Sequence, residues 1–283
     1  MTKAGPNCMI QDSAAAGPEL RGRARRPTAM LELRNVTKRY SGIPAVKDVS
    51  FIARPGEVTG YLGPNGSGKS TTLKMITTLL EPSSGEILFQ NEPVNRDPVR
   101  YKQRFGYVPE EPQLYPHLTG GEYLEMVGQL RGLPDALLRH KIEGFLRLFS
   151  LLGDRHVAMQ SYSKGMRQKI LLAAALLHNP ELVLLDEPFS GLDVSSALVL
   201  RDLIAGLAAR GKTVLFSSHE LETVERVCSR VVILHKGVVV ANDSIAQLRA
   251  LMSLPNLEGI FSQLAIEQDT AAISRELVQV MEA

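Results

Sequence analysis

The 283-residue sequence has no tryptophan, only two cysteines and no long apolar run. Cys8 and Cys228 are too few for a disulfide framework, and neither stands in a metal-ligand spacing, so a reducing compartment is the simplest expectation. The longest unbroken apolar stretch is the eight residues 170–177, against the roughly 20 that a membrane span needs. The N-terminus lacks the apolar region of a secretory signal. Charge of one sign is also scarce, since 32 Lys and Arg against 30 Asp and Glu leave a formal net charge of +2. That excess sits in residues 1–29, where Lys3, Arg21, Arg23, Arg25 and Arg26 face only Asp12 and Glu19. The rest of the chain carries a net charge of −1, which excludes a nucleic-acid binder by bulk charge. What remains is ordinary globular composition, with 44% hydrophobic and 22% charged residues. Disorder, collagen and coiled coil fail as descriptions of the whole. A chain this long can bury one large core without staples.

Residues 1–29 read as a disordered basic tail of Gly, Pro, Ala and Arg. A transit peptide suits the arginines but not Asp12 and Glu19; the other reading starts the protein at Met30, where a strand pattern begins. Strands are then expected at 31–36, 49–53 and 57–62, followed by a glycine-rich loop and a helix from Lys69 to about Leu80. Short strands follow at 86–89 and 105–108. From 112 to about 178 the pattern becomes helical. Thr119-Gly120-Gly121-Glu122 is a capping box, with Leu118 and Tyr123 placed for the accompanying staple. Leu138, Ile142, Phe145 and Phe149 mark a helix from about Asp135 to Leu152, and Ser163 can cap a third that stops at Asn179-Pro180.

Strands at 182–185, 213–216, 231–234 and 238–241 then alternate with helices from about Ser195 to Gly211 and from Glu220 to Cys228. This is an α/β pattern: a mostly parallel sheet with helices on both faces, interrupted by a helical insert. Beyond residue 245 a helical extension is expected, with Ile273, Leu277, Val280 and Met281 on one face. That face packs on the domain or makes a dimer contact.

Gly63, Pro64, Asn65, Gly66, Ser67, Gly68, Lys69, Ser70 and Thr71 fit the phosphate-binding pattern G-x-x-x-x-G-K-[ST]. Glycines let the backbone curl so that its N–H groups point at phosphate oxygens. A helix beginning near Lys69 adds its positive dipole end. Lys69 supplies a full charge to the β- and γ-phosphates, and Ser70 a hydroxyl for Mg²⁺. An apolar strand before the loop and a helix after it give the motif its required setting.

A second signal is Asp186-Glu187 at the end of the apolar run from 182. Two adjacent carboxylates ending a buried strand are costly unless they do something, and strand tips are where open α/β sheets hold their sites. Asp186 is placed to hold Mg²⁺ through water, and Glu187 could polarise an attacking water. A salt-bridged strand end is the bland alternative.

With these motifs the chain resembles the ATP-binding subunits of ABC transporters, over residues 31 to about 245. Tyr162-Ser163-Lys164-Gly165-Met166-Arg167-Gln168 stands where the family carries Leu-Ser-Gly-Gly-Gln; Ser163 and Gly165 match, while Tyr162, Lys164 and Met166 depart. Ser190-Gly191-Leu192-Asp193 resembles the family's D-loop, and Ser217-Ser218-His219 its switch histidine. Tyr40 lies where the family stacks an aromatic on adenine.

The resemblance implies a P-loop NTPase fold: a mostly parallel central sheet, an N-terminal antiparallel β subdomain and an inserted α-helical subdomain. It implies an ATPase domain over 30–245 with its insert at about 112–178. Two such subunits close head to tail, and ATP lies between one subunit's loop and the other's Ser163 and Gly165. Glu187 is the implied general base and His219 the residue holding γ-phosphate and water. Ser163 as a plain helix cap is compatible with that role. The implied partners are a second ATP-binding subunit, as homodimer or heterodimer, and an integral-membrane permease, with no nucleic acid. The implied place is cytoplasmic, peripheral on the cytoplasmic face of the cell membrane.

Gly106-Tyr107-Val108-Pro109-Glu110 puts Glu110 where many members carry a Mg²⁺-touching Gln. Glu110 either offers the hard cation an oxygen or faces away. The Tyr-Ser-Lys-Gly-Met-Arg-Gln segment, Glu110, the run from Leu114 to Thr119, and Leu257 to Phe261 together resemble the branch of two-component exporters. The alternative is a soluble ABC ATPase of translation or DNA repair. Against it, translation members carry two such domains in tandem, and chromosome-type members part the loop from the signature by long coiled coils.

Overall fold

The computed structural model describes residues 30–111, 113–265 and 279–281. The expected basic tail at 1–29 lies outside the described residues, as do Ile273 and Leu277. The chain first builds an antiparallel sheet. β1 (Leu31–Tyr40) and β2 (Ile43–Ala53) form a hairpin, then β3 (Val58–Leu62) leaves that sheet and runs into α1 (Lys69–Ile76). β4 (Ser84–Phe89) pairs with the free edge of β1, and β5 (Glu92–Pro93) closes a four-stranded sheet in the order β2-β1-β4-β5. α2 (Pro98–Lys102), capped by Asp97, leads into β6 (Phe105–Val108).

The helical segment follows as α3 (Gly120–Leu130), α4 (Asp135–Leu148) and α5 (Lys164–Leu176). The Thr119–Glu122 capping box forms in both directions, at 2.8 and 3.2 Å. Alternation then resumes through β7 (Leu182–Asp186), α6 (Val194–Ala209), β8 (Thr213–Ser218), α7 (Leu221–Val227), β9 (Arg230–His235) and β10 (Val238–Ser244). α8 (Ile245–Met252) and α9 (Leu257–Ala265) extend the chain. The second sheet has the order β10-β9-β3-β8-β7-β6, parallel throughout except for β10.

β3, β7 and β8 are buried at every residue. Such unbroken apolar runs belong to parallel strands covered on both faces. One face meets the antiparallel sheet and α1 through Tyr61, Leu184, Leu215, Leu73 and Ile76. The other packs Leu185 and Phe216 against Leu200 and Ile204 of α6 and Ile260 of α9. The helical segment holds its own small core around Leu124, Leu146, Tyr162 and Ile170.

Two helices end earlier than their apolar periodicity suggests, for one reason. α1 stops at Ile76 rather than near Leu80 because Thr78 turns to φ +59°. Its N–H bonds Met75 O at 3.1 Å, and that of Leu79 bonds Lys74 O at 2.9 Å. α4 stops at Leu148 rather than Leu152 in the same way, with Ser150 at φ +59° and Leu151 N–H bonded to Leu146 O at 2.7 Å. Both are Schellman closures, made without the glycine that marks one in a sequence. At the C-terminal end, Val280 and Met281, expected on a packed apolar face, are exposed.

Candidate functional site

The site is assembled by the register of three neighbouring parallel strands. Leu62, the last residue of β3, pairs with Ser218, and Asp186, the last of β7, pairs with Ser217. The loop after β3, the carboxylates after β7 and the histidine after β8 therefore emerge together at the carboxyl ends of the strands. That edge is where open α/β sheets bind ligands.

Residues 63–68 curl and deliver the chain into α1 with Gly68 at φ +104°. A Cβ there would stand 2.7 Å from Ala45 O of β2, so only glycine fits. Lys69 opens α1 with its side chain buried and folded back: Nζ donates to Gly63 O at 2.7 Å and to Pro64 O at 3.3 Å. Burial pulls the Lys69 pKa down, and the charges of Glu187, Asp186 and Glu110 act against that pull. Ser67 Oγ is buried inside the loop without a partner.

Asp186 is buried and accepts the Ser217 hydroxyl, and the Ser70 hydroxyl acts on it as a second donor that lowers its pKa. Burial pushes its pKa up, the two donors and Lys69 lower it, and neighbouring Glu187 raises it. Glu187 takes φ +47°, a conformation few non-glycine residues adopt. Its N–H is held by Ser217 through both the carbonyl oxygen, at 3.2 Å, and Oγ, at 3.1 Å. This turn aims the largely buried carboxylate at His219, whose Nδ1 lies 2.9 Å from Oε2. His219 itself is 63% exposed, so the pair joins a buried carboxylate to solvent.

The structure thus brings Lys69, Ser70, Asp186, Glu187 and His219 together. Glu110 is exposed beyond the end of β6, and its charge acts on Lys69 and on Tyr107. Tyr40 ends β1 at the surface, with the Lys38 ammonium 5.7 Å from its ring centroid. The antiparallel sheet reaches the phosphate loop through Ala45 and Val46.

Ser163, Gly165 and Asp193 form a separate group. Ser163 caps α5, accepting from Met166 N–H at 3.2 Å. Asp193 caps α6, accepting from Ser196 N–H at 2.9 Å and Ser196 Oγ at 2.6 Å. Gly165 packs on Gly191 O. Among the described residues, no hydrogen bond or ion pair joins this group to the phosphate loop. Sequence reasoning missed Ser217 as a support of both carboxylates. Its signal was there: a hydroxyl pair closes the apolar run of β8 just as Asp186-Glu187 closes β7.

The family model described as "ABC transporter" matches residues 46–190. The chain belongs to the ABC transporter family. It is an ATPase, the ATP-binding subunit of a transporter, and subunits of this family act with membrane permeases and dimerise. The ABC transporter ATP-binding protein NatA of Bacillus subtilis is 37% identical over 237 residues, 82% of this chain and 96% of that relative. The Nod factor export ATP-binding protein I of Burkholderia lata is 35% identical over 215 residues, covering 76% and 71%. A solved ATP-binding subunit of an ABC transporter superposes with TM-score 0.79 at 34% identity, over 83% of this chain and 99% of that one. A dimeric post-hydrolysis cassette bound to ADP and Pi superposes with TM-score 0.71 at 28% identity, over 76% and 98%. Among the described residues no helix is long and apolar enough to cross a membrane.

Proposed function

We propose that residues 30–245 form the ATPase domain of this subunit, with 112–178 as its helical insert, and that it hydrolyses ATP with Mg²⁺ to drive export through a separate permease. The observation that carries this reading is the Glu187–His219 pair set beside the buried Lys69. Loop N–H groups and the Lys69 ammonium take the phosphates, Lys69 exchanging its own loop carbonyls for phosphate oxygens. Thr71 and the other residues of 63–71 shape that cradle, and Tyr40 stacks on the adenine.

Ser70 and Asp186 would hold the metal, with Glu110 at its rim. The donor set suits a hard cation: a hydroxyl and a carboxylate that act on one another. Mg²⁺ needs few protein carboxylates, because it relies on phosphates and water for the rest of its shell. When bound, Mg²⁺ supplies Lewis-acid stabilisation of phosphate charge.

Glu187 takes the proton of the attacking water, and His219 orients the carboxylate and holds the terminal phosphate and the water. Ser163 and the N–H of Gly165, at the N-terminal end of α5, face the γ-phosphate bound by a second subunit, with Asp193 beside them. Export is the direction suggested by relatives such as the Nod factor export protein and the linearmycin resistance ATP-binding protein LnrL of Bacillus subtilis. The near-neutral body suits docking on a permease at the cytoplasmic face of the membrane rather than on nucleic acid.

The test is Glu187→Gln. A general base contributes roughly 10²–10⁴-fold, so the variant should lose that much turnover while binding ATP as tightly as the wild type. Near-normal hydrolysis by Glu187→Gln refutes the assignment.

A further inference from the structure

Two side chains of α5, one turn apart, reach the segment that leaves β7. Lys164 Nζ donates to Ser190 Oγ at 2.8 Å, and Gln168 Nε2 donates to Pro188 O at 3.4 Å. Spacing of four places both on one helix face. Their targets follow directly on Glu187, the residue held at φ +47°. The fit is built from both sides. Gly191 sits at φ +76°, and a Cβ there would stand 2.7 Å from Lys164 Cδ, so the bare backbone makes the bed for the lysine stem. Gln168 is 1% exposed, and its Oε1 has no partner. A buried amide that satisfies one rung and leaves an acceptor open is not there for packing alone.

We propose that Lys164 and Gln168 are positioning residues for ATP hydrolysis, clamping segment 187–191 to the first turns of α5. The clamp makes one rigid unit of the Glu187 backbone and the helix end that carries Ser163 and Gly165. It thereby ties the carboxylate serving the chain's own nucleotide to the surface offered to a second subunit's nucleotide. The proposal rests on the reading of Glu187 as base. It assigns a role to Lys164, where the resembled family pattern has glycine.

Lys164→Met keeps the stem and removes the ammonium, and Lys164 is exposed, so the fold should survive. A misplacement of about 1 Å can cost on the order of 10²-fold in rate. In the purified full chain with Mg·ATP, Lys164→Met is expected to lower kcat about 10-fold with KM for ATP unchanged, and Lys164→Arg to restore most of it. Ser190→Ala should cost the same, and the double variant no more, as for two halves of one contact. Hydrogen exchange of residues 187–193 in nucleotide-free Lys164→Met should quicken while the interior of β7 stays protected.

A raised KM with kcat unchanged would make Lys164 a direct nucleotide contact and overturn the clamp. Multiplying losses in the double variant, or unaltered exchange over 187–193, would overturn it too. The exchange measurement needs no turnover. Retained hydrolysis by Glu187→Gln would therefore sink the reading of the base while leaving the clamp to be decided by exchange.

Discussion

A buried lysine has to be held by something, and Lys69 is held by its own loop. Two backbone carbonyls accept its ammonium while the charges of three carboxylates act on it. That balance requires the loop to close tightly, and the closure turns on Gly68. Replacing it with alanine adds a Cβ 2.7 Å from Ala45 O and 2.9 Å from Val46 Cγ2, at a φ that side chains rarely adopt. Gly68→Ala should cost about 1–3 kcal/mol in backbone strain alone, read as a lower urea midpoint, and abolish ATP binding. Unchanged stability and affinity would contradict the close approach seen here. This loop could be read from sequence because a phosphate cradle needs its residues in one contiguous stretch. Ser217 could not be read so easily, since its bonds to Asp186 and Glu187 exist only through the β7–β8 register.

Between elements the same contrast recurs. Strand and helix types follow from periodicity, whereas helix ends are set by local backbone turns: Thr78 and Ser150 close α1 and α4 with no glycine to announce it. The junction between α5 and β7 carries a less obvious device. His178 Nε2 lies 3.0 Å from Phe105 O, a pure acceptor, so that nitrogen carries the proton. Burial pulls the His178 pKa down to about 4, with Arg131, Lys141 and Lys212 adding to the effect and the Phe105 bond opposing it. In the unfolded chain histidine titrates near about 6.5. As pH falls from there toward 4, the unfolded state takes up a proton that the folded state refuses, and stability drops. Allowing for partial exposure, the loss is about 1–2 kcal/mol. His178→Gln should flatten the fall of Tm between pH 6.5 and 4 relative to the wild type. Parallel curves for the two proteins would show that His178 is not the group responsible.

At the scale of the whole molecule, one chain carries two half-sites on the proposed reading, with no hydrogen bond or ion pair between their named residues among the described residues. Lys69, Ser70, Asp186, Glu187 and His219 form one; Ser163 and Asp193, each capping its own helix, and Gly165, packed on Gly191 O, form the other. A single copy cannot bring both to one nucleotide, but a head-to-tail pair can do so twice. A similar cassette is dimeric with ADP and Pi. On the proposed reading ATP acts as the link between copies: the free N–H groups and dipole of α5 favour an anion, and the terminal phosphate would supply it. Hydrolysis removes that link, so a chain that binds but does not hydrolyse should stay paired. Glu187→Gln with saturating Mg·ATP is accordingly expected to sediment at twice its 31.0 kDa mass and to return to one mass when ATP is removed. Adding Ser163→Arg should keep it monomeric while leaving ATP affinity intact, because Ser163 is exposed and its side chain bonds the N–H of Met166 rather than its own phosphate loop. A monomer in saturating ATP, or a pair that tolerates arginine at Ser163, would mean that the second half-site serves something other than another copy's nucleotide.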